Sequence, residues 1–585
     1  MTKRLVALVV CLAAADLPAA RASVSRHHAT PAPVKQARVA ETAPEPPPDD
    51  RDHDRIVRMQ TALREILHDS ALRRTRVGMR VIEARTGRLF FDTRGTVLMD
   101  PASNQKVLAT TTALMRLGAD WRFRTELTGA APTADGVVVG DVYLRGSGDP
   151  TVGSPDFDAM AAELARRGVR SIAGAVVADP RRLGADEPVA DEEVADDDGA
   201  SATAAHDDDA KLEALGQLSP RVPLVVNHGL MLVRIRPAAE AGLPAEVTTT
   251  PADPSFIVHD TVRTKARGHS RVTVRLSVAG ARIQIDVDGR IGLGRGALIF
   301  RRRVPHQALF AAALMRASLA SAGVAVRDDA RVEPTPPLRS GRARPLLALH
   351  ESAPLGILLR KINKDSENDY AERVLEAAGA EVYGGAPTGE KGVHLLREVI
   401  GELGLPPSSY VSRNGSGLGH ANRITANAMA ALLRSLYLDP RVGPELLQSL
   451  SVGGVDGTTR NRFKGTLAAE RVRAKTGTLR GKSCLSGLVG DGRDVLAFSI
   501  LVEGLHGRSL AAVRGAQVTC VNAMMRYVRE AHGVRPDLRP ETTPSSVSPD
   551  LEPGQEVGES EEELPAPAAA APASAAPASA APPPT

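Results

Sequence analysis

Apolar positions along the chain switch between two periods, and the switches divide it into segments. Residues 77–82 and 89–92 alternate apolar and polar, as a hairpin does, around the Ala84-Arg85-Thr86-Gly87 turn. Val107, Leu108, Thr111, Leu114 and Met115 then recur with helical spacing, so a hairpin feeding a helix is expected. From about residue 126 to residue 335 short β-like runs dominate (137–144, 222–235, 272–278, 283–287), with helices near 157–167 and 306–322. Helical periodicity returns after about residue 346, at 355–363 and 368–378. Three β-like segments (474–479, 483–489, 495–502) and a helix over about 509–531 follow. The pattern predicts an α+β fold in which a largely β insert, 126–335, separates two parts of one domain, 54–125 and 336–535.

Biased composition marks the remaining stretches. Lys3 and Arg4 precede an apolar run over 5–15 and a small-residue site at Ala20-Arg21-Ala22, which reads as a secretory signal over 1–22. The run is too short to span a bilayer, and Val10 is too bulky for Cys11 to be a lipidation site. No other segment reaches transmembrane length. Residues 23–53, with Pro44-Glu45-Pro46-Pro47-Pro48, and the Pro/Ala/Ser-rich tail 536–585 are expected to be disordered. Residues 186–211 carry Asp196-Asp197-Asp198 and His206-Asp207-Asp208-Asp209. Without defined ligand spacing they read as a solvated acidic loop rather than a metal site.

Composition narrows the partners. The 585 residues carry a formal charge of +4 and only 3% aromatic side chains, and no basic run has aromatics interleaved, so nucleic acid is not an expected partner. An exported chain could bridge Cys484 and Cys520, but one pair is no disulfide framework, and two buried free thiols are favoured.

Three short motifs carry the chemistry: Ser103-Asn104-Gln105-Lys106, Ser366-Glu367-Asn368 and Lys475-Thr476-Gly477-Thr478. A serine hydroxyl needs an adjacent base at neutral pH, and an amine three residues further along one helix can supply it. Ser103 is expected in the first turn of its helix, with Lys106 on the same face and the helix dipole beside the attacking oxygen. Ser366 is placed at a helix start. Lys475 to Thr478 read as an edge strand whose backbone can pair with an extended peptide, Gly477 permitting close approach. Each motif alone is weak; their order is the signature of β-lactamases and penicillin-binding proteins.

Further stretches sharpen the match: Leu144-Arg145-Gly146-Ser147-Gly148-Asp149-Pro150-Thr151, Asn363-Lys364-Asp365, Gly415-Ser416-Gly417-Leu418, Val455-Asp456-Gly457-Thr458 and Ala474 before the third motif. With them the chain resembles, over about 54–534, the class C low-molecular-mass penicillin-binding proteins, the D-alanyl-D-alanine carboxypeptidase/endopeptidase family. The resemblance implies a penicillin-binding-protein/β-lactamase-like transpeptidase domain, an antiparallel sheet with helices, carrying a large inserted β-rich accessory region. It implies Ser103 as nucleophile, Lys106 as base and Ser366 as proton relay to the leaving amine. Asn368 would bind the acyl-side amide, and Lys475, Thr476, Gly477 and Thr478 the substrate, with backbone N–H groups of Ser103 and Thr478 as the oxyanion hole. The implied substrates are peptidoglycan stem peptides and the implied covalent inhibitors β-lactams. No metal or organic cofactor is implied, and the site of action would be the periplasm or cell envelope.

Some residues depart from the resembled pattern. Glu367 and Asn414 stand where Asp is usual, off the proton route. Asp179-Pro180-Arg181-Arg182-Leu183 replaces an Asp-x-Ser-x-Phe stretch, so recognition of a diaminopimelate side chain by the insert is not carried over. Asp149 and Ser416 read as loop-structuring residues. The Glu-x-x-Leu-Asn of class A β-lactamases is absent, which argues against efficient β-lactam hydrolysis. A catalytically idle peptidoglycan-binding or β-lactam-sensing protein on the same fold is the alternative, against which the intact motif residues weigh.

Overall fold

The computed structural model describes residues 44–182, 222–252, 256–280, 282–336, 343–492, 494–505, 507 and 509–531. The expected signal, the acidic loop and the tail lie outside these residues. The expected linker is described only from Pro44: its end runs into the helix His53–His68, anchored where the buried Gln60 donates to Pro44 O (3.0 Å) and Phe90 O (2.9 Å). The bond to Pro44 O, with His53 Nδ1 on Pro46 O (2.9 Å), gives this proline-rich stretch contacts that its composition alone did not suggest.

A six-stranded antiparallel sheet forms the centre, in the order Leu89–Thr93, Arg76–Glu83, Asp494–Glu503, Lys482–Asp491, Val472–Leu479, Ser451–Val452. Its middle strand, Asp494–Glu503, is apolar almost throughout because both faces are covered. Leu496, Phe498, Ile500 and Val502 face a core shared with the helices His53–His68 and Leu510–Ala531. Ala497 and Leu501 face a second core shared with helices Gln105–Leu117, Leu355–Lys364, Asn368–Tyr383, Gly389–Glu402 and Ala426–Leu438.

The insert begins and ends at one seam. Phe123 N donates to Ser352 Oγ and Ser352 N to Phe123 O, both at 3.0 Å. Just beyond, Arg124–Thr128 pairs antiparallel with Leu346–Glu351, which places the returning strand later than the 335 boundary expected from the loss of β-like runs. These strands belong to a five-stranded sheet packed with helices Ser154–Arg166 and Gln307–Ser321. Nested within it are a three-stranded sheet (Leu298–Arg303, Leu230–Arg236, Glu246–Thr250) and a four-stranded one (Phe256–Asp260, Arg263–Lys265, Arg271–Ala279, Arg282–Gly292). The run expected over 222–235 is strand only from Leu230, and that over 137–144 breaks between Val137–Val138 and Val142–Gly146 around Gly140, whose φ is 85°.

Candidate active site

Ser103 lies in a single 3-10 turn, Ala102–Asn104, that runs directly into the helix Gln105–Leu117. The turn is held from two sides. Asp100 Oδ1 accepts from Ala102 N (2.9 Å), and Asp100 Oδ2 is engaged by Lys482 Nζ and by His420 Nδ1 (3.2 Å). Ala102 itself has φ 46°, a left-handed conformation that costs an alanine roughly 1–2 kcal/mol. The strained turn aims Ser103 at the end of the central sheet.

Lys106 is fully buried, and its Nζ lies 3.2 Å from Ser103 Oγ, 2.6 Å from Asn368 Oδ1 and 2.7 Å from Ser416 O. Asn368 starts the helix Asn368–Tyr383. The N-cap of that helix is Glu367, not Ser366, which stands one residue earlier at φ 65°. This conformation turns the Ser366 hydroxyl to Lys475, whose Nζ donates to Ser366 Oγ at 2.8 Å and to Thr476 O at 3.0 Å. Lys475 is likewise fully buried. The first motif therefore meets the second through Lys106, and the third meets it through Lys475.

The third motif occupies the strand Val472–Leu479. On one side it pairs residue by residue with Lys482–Asp491; on the other, strand pairing stops at Ala474. From Lys475 onward the outer edge carries no neighbouring strand among the described residues. A Cβ on Gly477 would lie 2.8 Å from Pro101 O and 3.1 Å from Ser103 N, so only glycine lets this strand approach the serine turn. The buried Asn104 amide ties the same two elements, bridging Ser486 Oγ (2.8 Å) and the Lys475 carbonyl (2.9 Å). Thr476 Oγ1 donates to Thr458 Oγ1 (2.8 Å), and Arg514 donates to Thr478 Oγ1 (3.1 Å).

Several residues beside the motifs were not legible as site residues. Glu372, buried on the helix of Asn368, accepts from Gly415 N (2.9 Å) and Ser416 N (2.8 Å), presenting the Ser416 carbonyl to Lys106. Gly417, at φ 83°, lets the same loop pass against Ala102 O. Arg514 comes from the last helix. No spacing links either Glu372 or Arg514 to the motifs, because both act through contacts between elements distant in sequence. The two residues read as loop-structuring behave as such: Asp149 Oδ1 accepts from Thr151 N (2.8 Å) and Ser416 Oγ from Leu418 N (3.2 Å); Asn414 Oδ1 also accepts from Gly417 N (3.0 Å).

The insert reaches the second motif's helix. His228 stacks on Tyr370, with ring centroids 6.3 Å apart, and stands 4.0 Å from the Asp369 carboxylate, which raises its pKa against the opposing effect of burial. Arg182 forms an ion pair with Glu381. The side chain of Asp179 is fully buried. Burial alone would raise its pKa, but hydrogen bonds from Arg181 and Thr335 hold it down to about 2. Cys484 and Cys520 are buried free thiols; burial pushes both up, Cys520 to about 12. No helix among the described residues is long and apolar enough to cross a membrane.

A hydroxyl at one corner, a buried amine beside it, a second hydroxyl on a second buried amine and an open strand edge form the parts of a serine acyl-transfer site. Known proteins are similar to the chain in sequence and in fold. The sequence profile of the D-Ala-D-Ala carboxypeptidase 3 (S13) family matches residues 59–524. A D-alanyl-D-alanine carboxypeptidase of Actinomadura sp. (strain R39) is 33% identical over 473 residues, covering 79% of this chain and 84% of the relative. The D-alanyl-D-alanine carboxypeptidase DacB of Haemophilus influenzae is 24% identical over 449 residues, covering 73% of this chain and 85% of the relative. The crystal structure of penicillin binding protein 4 (dacB) from Haemophilus influenzae superposes with a TM-score of 0.59 at 20% identity. It covers 79% of this chain and 97% of that one, a likeness of fold.

Proposed function

The chain belongs to the D-Ala-D-Ala carboxypeptidase 3 (S13) family of serine peptidases, and from that premise we propose how its residues divide the work. Ser103 attacks the carbonyl between two D-amino acids of a peptidoglycan stem peptide, and Lys106 takes its proton. The geometry around Lys106 supports this. A neutral amine has two hydrogens and one lone pair; Asn368 Oδ1 and Ser416 O accept the hydrogens, leaving the lone pair for the Ser103 hydroxyl 3.2 Å away. That convergence on one buried nitrogen is the observation that carries the reading.

The remaining roles follow the same geometry. Ser366, hydrogen-bonded to Lys475, relays a proton to the leaving amine. The peptide adds to the free edge of Val472–Leu479, its acyl-side amide meets Asn368, and backbone N–H groups of Ser103 and Thr478 receive the oxyanion. The carboxylate of the leaving residue meets Thr476 and Thr478, beside the positive charge of Lys475. Arg514 donates to Thr478 Oγ1, so the threonine's own O–H is left to donate to that carboxylate. Water then hydrolyses the acyl-enzyme, which gives carboxypeptidase action on a terminal D-Ala or endopeptidase action on a cross-link. β-Lactams acylate Ser103 by the same route. The catalytic domain is in two parts around the insert, and the protein acts in the periplasm or cell envelope. The Arg181 and Thr335 contacts that occupy Asp179 support leaving diaminopimelate recognition out of the insert's role.

A fluorescent penicillin tests acylation: wild-type protein should be labelled covalently and Ser103→Ala should not. A folded wild type that takes no label would instead favour the idle binding protein. Comparing a D-Ala-D-Ala peptide with its L-Ala counterpart tests substrate class, with turnover expected only of the first.

A further inference from the structure

The outer face of the insert's four-stranded sheet carries a feature that packing does not account for. Arg290 on the strand Arg282–Gly292 is in register with Arg271 on one neighbouring strand and with Arg263 on the other. All three side chains are exposed, and Thr264, Val274, Ile285, Val287 and Ile291 fill the opposite, buried face. Neighbouring strands lie about 4.8 Å apart, so three guanidinium-bearing residues stand in one row across the sheet. Among the described residues none of them has a salt-bridge partner. Elsewhere on the face charge is balanced or engaged: Arg275 stands opposite Asp286, and Asp288 accepts from Thr261. Lys265 and Arg267, both exposed, extend the positive end beyond the row.

Like charges directly opposite each other in a sheet are destabilising. A row of three on an insert with a well-filled apolar core costs folding stability without an intramolecular return, which is the mark of a surface kept for an external anion. We infer that this row docks the carboxylate-bearing peptidoglycan polymer and holds the enzyme on its insoluble substrate. The inference rests on the proposed function for the identity of that polymer. Stem peptides end in carboxylates; removing a terminal D-Ala leaves the polymer with the same number, and opening a cross-link exposes a new carboxylate together with an amine, so substrate and product polymers both match an extended basic row. The exposed sheet face, with basic residues on adjacent strands, fits a long polymer rather than a single small anion.

The test uses the full chain and two substrates. A Arg263→Gln, Arg271→Gln, Arg290→Gln variant should hydrolyse a soluble D-Ala-D-Ala tripeptide like the wild type, while its binding to purified sacculi in a sedimentation assay weakens about tenfold or more. Added salt should weaken the wild type towards the variant, because exposed charges are screened. A control removing equal charge elsewhere, Arg51→Gln, Arg73→Gln, Arg74→Gln, should bind sacculi as the wild type does. Equal sedimentation of wild type and row variant overturns the inference, as does an equal loss in the control, which would make the attraction a matter of net charge. Row-dependent binding to phosphatidylglycerol vesicles with no effect on sacculi also overturns it in favour of a membrane. Sacculus binding by Ser103→Ala reads the row without catalysis, so failure of the docking surface and failure of the proposed chemistry give different results.

Discussion

The candidate active site and the outer sheet of the insert use basic side chains in opposite ways. At the candidate active site Lys106 and Lys475 are fully buried, and each head group is held by hydrogen bonds of 2.6–3.2 Å, at least one of them to an element far away in sequence. On the insert, Arg263, Arg271 and Arg290 are exposed, lie next to one another and make no ion pair among the described residues. A buried amine with fixed partners has one orientation and can do stoichiometric chemistry at one atom. An exposed guanidinium row has many orientations and can only attract. A basic group is therefore precise where water is excluded and diffuse where it is not.

The sharpest way to break this contrast is at the candidate active site. Lys106→Met removes the base while keeping an apolar stem in place, and penicillin acylation should slow on the order of 10³-fold with thermal unfolding little changed. Retention of acylation within tenfold would remove Lys106 from the proton route. Gly477→Ala should follow in size. Its methyl would meet Pro101 O at 2.8 Å and Ser103 N at 3.1 Å, at a cost of about 1–3 kcal/mol and with loss of acylation. In the insert, Gly294→Ala has nothing within 4 Å to meet and should leave both melting temperature and acylation near wild type.

Smaller effects probe the seam between the regions. His350, on the returning strand, stands 3.5 Å from both the Asp149 and Asp156 carboxylates; Asp149 first, then Asp156, raises its pKa, against the effect of burial. A group raised in the folded state adds stability that is complete below its unfolded value, about 6.5, and is lost as pH rises through the folded value. His350→Gln should therefore destabilise the protein in acid, and the two proteins should converge on the alkaline side in denaturant titrations at a series of pH values. A gap that widened with rising pH would have the wrong sign. The smallest effect is expected of the row itself: the triple glutamine variant should be as stable as the wild type or more stable by roughly 0.2–1 kcal/mol.

Much of the fold was legible because its strands and helices bury one face or two. The hairpin around residues 84–87, the helix after Ser103 and the last three strands all have periodicities that survive in the observed elements. The returning strand Leu346–Glu351 was harder to see. Exposed Leu346 and Leu349 interrupt its alternation, and its partner, Arg124–Thr128, lies more than two hundred residues away. The site shows the same division. Ser103, Lys106, Ser366, Asn368 and Lys475 to Thr478 stand in short, ordered motifs, whereas Glu372 and Arg514 reach the site only because separate elements pack together.

Short-range chemistry was the sequence's own contribution: which residue types can attack, accept a proton or yield to a substrate strand, and in what order they occur. Residues three apart on one helix share a face whatever the rest of the chain does, so the pairing of Ser103 with Lys106 needed no tertiary structure. The tertiary structure decided the long-range contacts. It brought Asn368 and Ser416 to the Lys106 amine, left one edge of the third motif open, and set three arginines in a row. Those outcomes depend on strand register and on which surfaces bury one another, which are settled by packing over the whole domain rather than by any local stretch of residues.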